Sequence, residues 1–387
     1  MTDRSQTVRV IFAGGGTGGH LYPAIAIADR LTELLKDKTG VEILFVGTKR
    51  GLEYRIREHL GYPLKIINVR GLVRSLTWKN LLVPFVLVGA LIKASALLNE
   101  FRPDIVVGTG GYVAWPVLKA AVSKKIPTVL QEQNSFPGIT TRRLAGKADR
   151  IYLGFAKAKE MLQSKGEVII TGNPVRRSIL AGDRAEAMKR FKLDPDKKTI
   201  LVIGGSQGAR ALNHAILACL EKKQLPQEYQ LLWQTGKRDY KDVIASAGEK
   251  VKPHSLFPFE NRMDLVYAAA DLVISRAGAL ALAELEACRL AAILVPYPFA
   301  AGDHQRKNAE EFVRHGFAVM LDESELDRFD LLDKALGLFR SGRVQQMSTA
   351  MAEAGAGKKP AVDTIAEDII AMIDNREKQE AQLGERG

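Results

Sequence analysis

The residues with the clearest chemical purpose lie near the start of the chain. Gly14-Gly15-Gly16-Thr17-Gly18-Gly19-His20 follows the β-rich run Val8–Ala13 and leads into a helical pattern from about Tyr22 to Lys36. Glycines permit close backbone approach, and the N–H groups at a helix start attract phosphate. Residues 14, 16 and 19 match G-x-G-x-x-G. A dinucleotide site would also need an acidic residue closing the second strand, to hold a ribose. That strand ends Phe45-Val46-Gly47-Thr48, which argues against NAD. His20 sits at the end of the loop. The positive helix end disfavours an imidazolium, so a neutral ring there can accept a proton. A capping or loop-packing histidine fits the same spacing equally well.

The strand-to-helix passage recurs. Gly204-Gly205-Ser206-Gln207-Gly208-Ala209-Arg210 follows the strand pattern Thr199–Ile203, and Ser206 can offer a hydroxyl to a phosphate. Two such loops suit a substrate with two phosphates, although each is also a tight turn. The passage Ser275-Arg276-Ala277-Gly278-Ala279-Leu280-Ala281-Leu282-Ala283-Glu284 is a third. Its small residues let a ligand lie against the helix start. Glu284 can take both hydroxyls of a ribose, or can be a solvated helix acid. Gln305 and Asn308 are three apart at the start of a later helix and share a face. Their amides can read sugar hydroxyls or cap the helix. The six histidines are dispersed, without the paired Cys/His spacing of a metal site. Asp194-Pro195-Asp196 matches D-x-D but lies in a polar connector, where such residues make turns.

These loops need a scaffold of strands. Val41–Val46, Ile105–Gly108, Thr128–Gln131, Arg150–Leu153 and Val168–Thr171 alternate with helical patterns, and the scheme restarts after Asp194–Lys198 with Thr199–Ile203, Gln230–Gln234, Leu272–Ser275 and Ala292–Val295. Short apolar strands separated by helices imply parallel sheets covered on both faces. The expected fold is α/β, two doubly wound parallel-sheet domains facing a cleft. The domains are drawn at 7–173 and 174–363. The last helix, 364–380, fits either by pattern and is assigned to the first.

The chain has 387 residues, 46% hydrophobic and 26% charged, as expected of a folded globular protein of two domains. Its two cysteines, Cys219 and Cys288, read as small buried hydrophobes in a reducing compartment. Met1–Thr7 is mostly polar, without a signal-peptide core. The net charge is +12, which suits phosphorylated substrates or an anionic membrane. No module with aromatics interleaved among cations appears, so nucleic acid is not an expected partner. The uncharged stretch Asn80–Ile92 is too short to span a membrane, which takes about 20 residues, and contains Pro84. It is a buried helix, or else part of a membrane-docking surface in which Leu72, Val73, Trp78, Leu81, Leu82 and Phe85 are flanked by Arg70, Arg74 and Lys79.

The motifs Gly14–His20 with Tyr22-Pro23-Ala24, Gly108-Thr109-Gly110-Gly111-Tyr112, Glu132-Gln133-Asn134, Gly172-Asn173-Pro174-Val175-Arg176, Gly204–Arg210 and Arg276-Ala277-Gly278-Ala279 occur in that order. Together they resemble the MurG family, the transferases that make lipid II from lipid I. The resemblance runs from about Val8 to about Asn308. It implies a GT-B fold with UDP-GlcNAc held by the second domain. It implies an inverting transfer of GlcNAc to the C4 hydroxyl of undecaprenyl-diphosphate-linked MurNAc-pentapeptide, without metal or other cofactor. It places the protein peripherally on the cytoplasmic face of the inner membrane, in peptidoglycan synthesis and so in cell shape and division, beside other cell-wall or division proteins.

Carried over by motif, Thr17, Gly18 and Gly19 close on the donor and His20 is the base. Asn134 reaches the donor sugar. Arg176 and Ser206 contact nucleotide and phosphate. The backbone of Glu260 holds the uracil edge. Ala279, Leu280, Ala281, Leu282 and Ala283 form the helix start against the phosphates. Glu284 takes the ribose and Gln305 reads GlcNAc. Gly108–Tyr112 and Glu132 line the acceptor side. Ala281 and Ala283 stand where the family often has hydroxyls, and His304 where it often has an amide, which puts donor affinity in question. The rival readings are a transferase with another lipid acceptor, a UDP-GlcNAc 2-epimerase, and a regulatory module that binds UDP-GlcNAc without turnover.

Overall fold

The computed structural model describes residues 7–69, 83–205, 208–252 and 255–384. The chain forms two compact units, Met1–Arg176 with Lys359–Gly387, and Arg177–Lys358. The sequence reading drew the first boundary three residues earlier, after residue 173, and the second at 363/364.

In the first unit, seven strands form one sheet: β1 Val8–Gly14, β2 Val41–Gly47, β3 Leu64–Ile66, β4 Ile105–Gly110, β5 Thr128–Glu132, β6 Arg150–Leu153 and β7 Glu167–Ile170. Their order is β3-β2-β1-β4-β5-β6-β7, and every pairing is parallel. The apolar run Val10–Ala13 of β1 follows from burial on both sides. Val10 and Phe12 join a core with Leu21, Ile27 and Leu31 of the helix Gly18–Leu35. Ile11 and Ala13 point the other way, into a core with Leu97 and Leu98 of the helix Val83–Phe101. Alternate residues of a strand face opposite sides, so both faces demand apolar side chains.

The helix Ala361–Gly384 completes the first unit. Ile365, Ile369 and Ile373 recur every four residues and enter the core on the side of the helix Gly18–Leu35. Each buried side chain contributes about 1.5–3 kcal/mol. Polar contacts fix the register: the Tyr152 hydroxyl donates to Asp368 Oδ2 at 2.5 Å, and Arg30 Nε lies 2.7 Å from Asp363 Oδ1.

The second unit repeats the plan with β8 Lys198–Ile203, β9 Tyr229–Gln234, β10 Leu256–Phe257, β11 Leu272–Ser275, β12 Ala292–Leu294 and β13 Ala318–Met320, in the order β10-β9-β8-β11-β12-β13 and wholly parallel. In both sheets the strand order reverses beside the first strand, between β1 and β4 and between β8 and β11. A crevice opens outside the strand ends at such a point, and ligands of doubly wound sheets bind there.

The stretch containing Pro84 is neither wholly buried nor wholly exposed. Pro84 lies in the first turn of its helix, where a missing N–H costs nothing. Ala90 and Ala94 are buried, whereas Val88 and Ile92 are 56% and 65% exposed. The docking candidates from Arg70 to Leu82, and the Phe85 side chain, lie outside the described residues. Among the described residues, no helix is long and apolar enough to cross a membrane. Cys219 is buried but Cys288 is only partly so, which corrects the reading of both as core residues. Burial pushes both thiols up, that of Cys288 to about 12.

Candidate functional site

The helix after the first glycine loop starts at Gly18, four residues before its apolar pattern begins, so His20 lies inside its first turn. Thr17 is the extended N-cap residue and its side chain makes no capping bond. The Thr17 side chain therefore takes none of the first-turn N–H groups, and helix starts of this kind attract anions. His20 Nδ1 sits 3.3 Å from the Gly15 carbonyl oxygen and 3.3 Å from Thr17 Oγ1. A carbonyl only accepts, so the Gly15 contact is a hydrogen bond when Nδ1 carries a proton, and in a neutral ring that leaves the lone pair on Nε2.

The β4 loop packs against this one because β1 and β4 are neighbours. The Thr109 hydroxyl donates to the His20 carbonyl at 2.7 Å. Gly111 has φ +82°, and a Cβ there would fall 2.5 Å from the Gly15 oxygen. Only glycine lets the two loops approach so closely.

The Glu132-Gln133-Asn134 and Gly172-Asn173 motifs form a lattice beneath these loops. Glu132 is buried and accepts from the N–H groups of Asn134 and Gly138 at 3.1 and 3.0 Å, and from the Thr141 hydroxyl at 2.6 Å. These bonds shape the loop after β5. Asn134 Nδ2 donates to the same carboxylate at 3.3 Å. Gln131 donates to Asn173 Oδ1 at 3.1 Å, Asn173 to the Gln133 carbonyl at 2.9 Å, and Gln133 to the Thr109 carbonyl at 2.8 Å. Arg176 stacks on the Tyr22 ring, 4.7 Å from its centroid, with a buried Nε that has no hydrogen-bond partner among the described residues. Burial holds Asp29 above the usual carboxylate range, although the Tyr62 hydroxyl and the Arg176 charge pull it back.

In the second unit, the helix Arg210–Lys222 starts at the extended residue Ala209, and the helix Ala279–Ala287 at Gly278; neither start has a side-chain cap. Ser206 lies outside the described residues. Of the carried-over residues 279–283, Leu282 has its side chain in the core and its N–H on the Gly278 carbonyl at 3.0 Å. The helix ladder thus takes over at Leu282, and the donors left for a phosphate are those of Ala279, Leu280 and Ala281.

Glu284 is buried, not solvated. The Tyr267 hydroxyl donates to its Oε2 at 2.8 Å and fixes its rotamer. Glu260 has its backbone N–H on Gln234 Oε1 at 3.0 Å. A uracil edge at this position would meet the Glu260 carbonyl first. Burial pushes the Glu260 side chain up, but the Arg262 N–H and the Arg190 guanidinium outweigh this and hold it below the usual range. Gln305 Oε1 accepts from the Tyr297 N–H at 3.0 Å, which turns its –NH2 away as a donor. Asn308 is fully buried and donates to the Ala277 carbonyl at 3.4 Å, so it neither caps its own helix nor reads a sugar. Arg276 donates to the carbonyls of Val295 and Pro296 at 3.1 and 3.2 Å and pairs with Glu323, pinning the turn that Gln305 touches.

Asp194 accepts from the Asp196 N–H at 3.0 Å, a local turn. Among the described residues, no three His, Cys, Asp or Glu side chains converge as metal ligands do. The sequence reading passed over Gln234, Tyr267 and, above all, Glu53. Glu53 is fully buried beside the first glycine loop and accepts the Gly16 N–H at 2.8 Å. A faint signal was present: an acid two residues after Gly51 and six after Gly47.

Residues 10–153 match the glycosyltransferase family 28 N-terminal domain, and residues 199–365 its C-terminal domain. A UDP-N-acetylglucosamine–N-acetylmuramyl-(pentapeptide) pyrophosphoryl-undecaprenol N-acetylglucosamine transferase from Flavobacterium psychrophilum is 40% identical, over 95% of this chain and 98% of its own. The protein of the same description from Chlorobaculum tepidum is 42% identical, over 94% and 99%. The crystal structure of Acinetobacter baumannii MurG superposes with a TM-score of 0.71 at 26% identity, covering 94% of this chain and 99% of that one. The UDP-GlcNAc 2-epimerase of Neisseria meningitidis shares the fold, with a TM-score of 0.62 at 14% identity over 96% and 100%.

Proposed function

The chain belongs to glycosyltransferase family 28 and, within it, to the MurG transferases, and we propose that its second unit holds the donor while its first supplies the acceptor side and the base. It is a hexosyltransferase that moves GlcNAc from UDP-GlcNAc to lipid I, giving lipid II for peptidoglycan. The epimerase alternative is left with a shared fold at 14% identity.

The observation that supports the division of labour is the His20 ring, whose Nδ1 faces the Gly15 carbonyl. Nε2 takes the proton from the C4 hydroxyl of the MurNAc sugar as that oxygen attacks the anomeric carbon. The attack comes from the face opposite UDP, so the α-linked donor gives a β-linked product. Charge then grows on the leaving diphosphate. The uncapped helix starts at Arg210 and Ala279 offer N–H groups to it, and such preorganised donors act without reorganising. On this reading Glu284 accepts the ribose hydroxyls, the –NH2 of Gln305 donates to GlcNAc, and no metal takes part.

The test is to incubate the protein with labelled UDP-GlcNAc and a short-chain lipid I analogue in EDTA. Label should enter lipid. Donor binding without lipid-linked label would overturn the acceptor, and transfer that stops in EDTA and resumes with magnesium would overturn metal independence.

The same reading places the protein on the inner face of the membrane as a peripheral enzyme. Exposed Val88 and Ile92, next in sequence to the apolar and basic residues 70–85, support it. Trp78→Glu with Phe85→Glu should release the protein from anionic liposomes while UDP binding persists. Equal liposome binding by variant and wild type would sink the docking surface.

A further inference from the structure

Glu53 is 0% exposed, and its partners are neutral. Oε2 accepts the Gly16 N–H at 2.8 Å, while Oε1 accepts the Thr48 N–H at 2.8 Å and the Thr48 hydroxyl at 3.3 Å. Burying a carboxylate costs several kcal/mol unless its oxygens are well satisfied. The surrounding chain is built to admit this one. A Cβ on Gly15 would fall 2.5 Å from the carboxyl carbon, one on Gly47 would fall 2.3 Å from Cγ, and one on Gly51 would fall 2.0 Å from Oε1. Three glycines in two segments thus vacate the space that the acid fills.

The peptide group between Gly15 and Gly16 shows what this achieves. The peptide bond is trans, as are all those among the described residues, so the C=O of Gly15 and the N–H of Gly16 point in opposite directions within one rigid plane. Glu53 holds the N–H end at 2.8 Å, and His20 Nδ1 lies 3.3 Å from the C=O end. Gly16, at φ +89°, supplies the turn that presents the plane this way. Hydrogen bonds in series polarise one another, so an anion at one end makes the carbonyl at the other a better acceptor. The arrangement is a carboxylate–imidazole pair with a peptide group inserted between its members.

We propose that Glu53 is a positioning residue for the transfer: through the Gly15–Gly16 peptide it keeps the His20 imidazole protonated on Nδ1, with the Nε2 lone pair ready for the acceptor's proton. The proposal rests on the reading of His20 as base. Glu53 touches no substrate. Its removal acts on the rate of transfer and leaves the donor sites of the second unit alone.

Glu53→Gln in the full chain tests it. The amide keeps the shape but has a single acceptor oxygen, so it cannot serve the Gly16 and Thr48 N–H groups together. The variant should lose about tenfold or more in kcat, short of the His20→Ala loss, with KM for UDP-GlcNAc unchanged. Nitrogen chemical shifts of the His20 ring should show the Nδ1–H tautomer in the wild type and a mixture in the variant. In a His20→Ala background, Glu53→Gln should cost nothing further. An Nε2–H ring in the wild type would end the proposal, whether or not the variant folds. So would a wild-type kcat in Glu53→Gln, or an equal fold-loss with and without His20. Full activity of His20→Ala ends the base reading alone; an unmoved tautomer in Glu53→Gln ends the Glu53 proposal alone.

Discussion

His20→Ala should lose about 10²- to 10⁴-fold in kcat for transfer to a lipid I analogue, the usual contribution of a positioned general base. The hydroxyl of a sugar is a poor nucleophile until its proton leaves, and on the proposed reading the Nε2 lone pair takes it. Thr109 fixes the backbone of His20, while Gly15 and Thr17 fix its ring. On the proposed division of labour other residues bind the donor, so KM for UDP-GlcNAc should stay within about threefold, the pattern of an interaction made only in the transition state. Thr109 can still reach the carbonyl of the substituted residue, so the loop pair should persist and melting should change little. A variant that keeps kcat but raises KM for the lipid acceptor would recast His20 as an acceptor-binding group.

Glu284→Gln should weaken UDP binding by about ten- to a hundredfold, since a hydrogen bond to a charged group is worth roughly 1.5–3 kcal/mol. A carboxylate accepts from both hydroxyls of a ribose; an amide has one oxygen to accept with and must turn a donor toward the other. Tyr267 already holds Oε2 of Glu284, so the side chain has no second rotamer with which to compensate. Burial sharpens the effect, because competing water is scarce around a residue 8% exposed. Calorimetric titration with UDP reads this without any acceptor or turnover. An unchanged dissociation constant would leave Glu284 as the structural partner of Tyr267 and send the ribose elsewhere.

Several strands were readable because burial on both faces writes itself as short, mainly apolar runs. β1, β8 and β11 were found this way to within a residue or so. β3, β10 and β13 have only two or three residues each and were missed, whereas the equally short β12 was found because its apolar run continues through Val295. The first helix was placed late because Gly18 and Gly19 have poor intrinsic helix propensity; tertiary contacts, including the Thr109 hydroxyl on the His20 carbonyl, settle its start. The glycine loops suggested an anion site through composition, and the proposed function uses them as one. The acid that braces the first loop did not announce itself, because its bond to Gly16 spans 37 positions and its identity as a buried group depends on strands being side by side. Asn308 misled for the opposite reason. Its spacing from Gln305 is helical and regular, but the spacing does not reveal that one amide faces outward and the other is sealed against Ala277.

The route of the chain sets an order on its biosynthesis. Residues 177–358 are a self-contained insertion within a unit whose last core helix is Ala361–Gly384. On the ribosome, the nascent first sheet emerges early but lacks Ile365, Ile369 and Ile373, so one of its apolar faces stays partly uncovered while the insertion is made. At about 5–20 residues per second, that interval lasts on the order of ten seconds or more. The inserted unit needs no such wait and can fold as soon as it clears the exit tunnel. The half that carries His20 and Glu53 therefore matures last, although it is translated first.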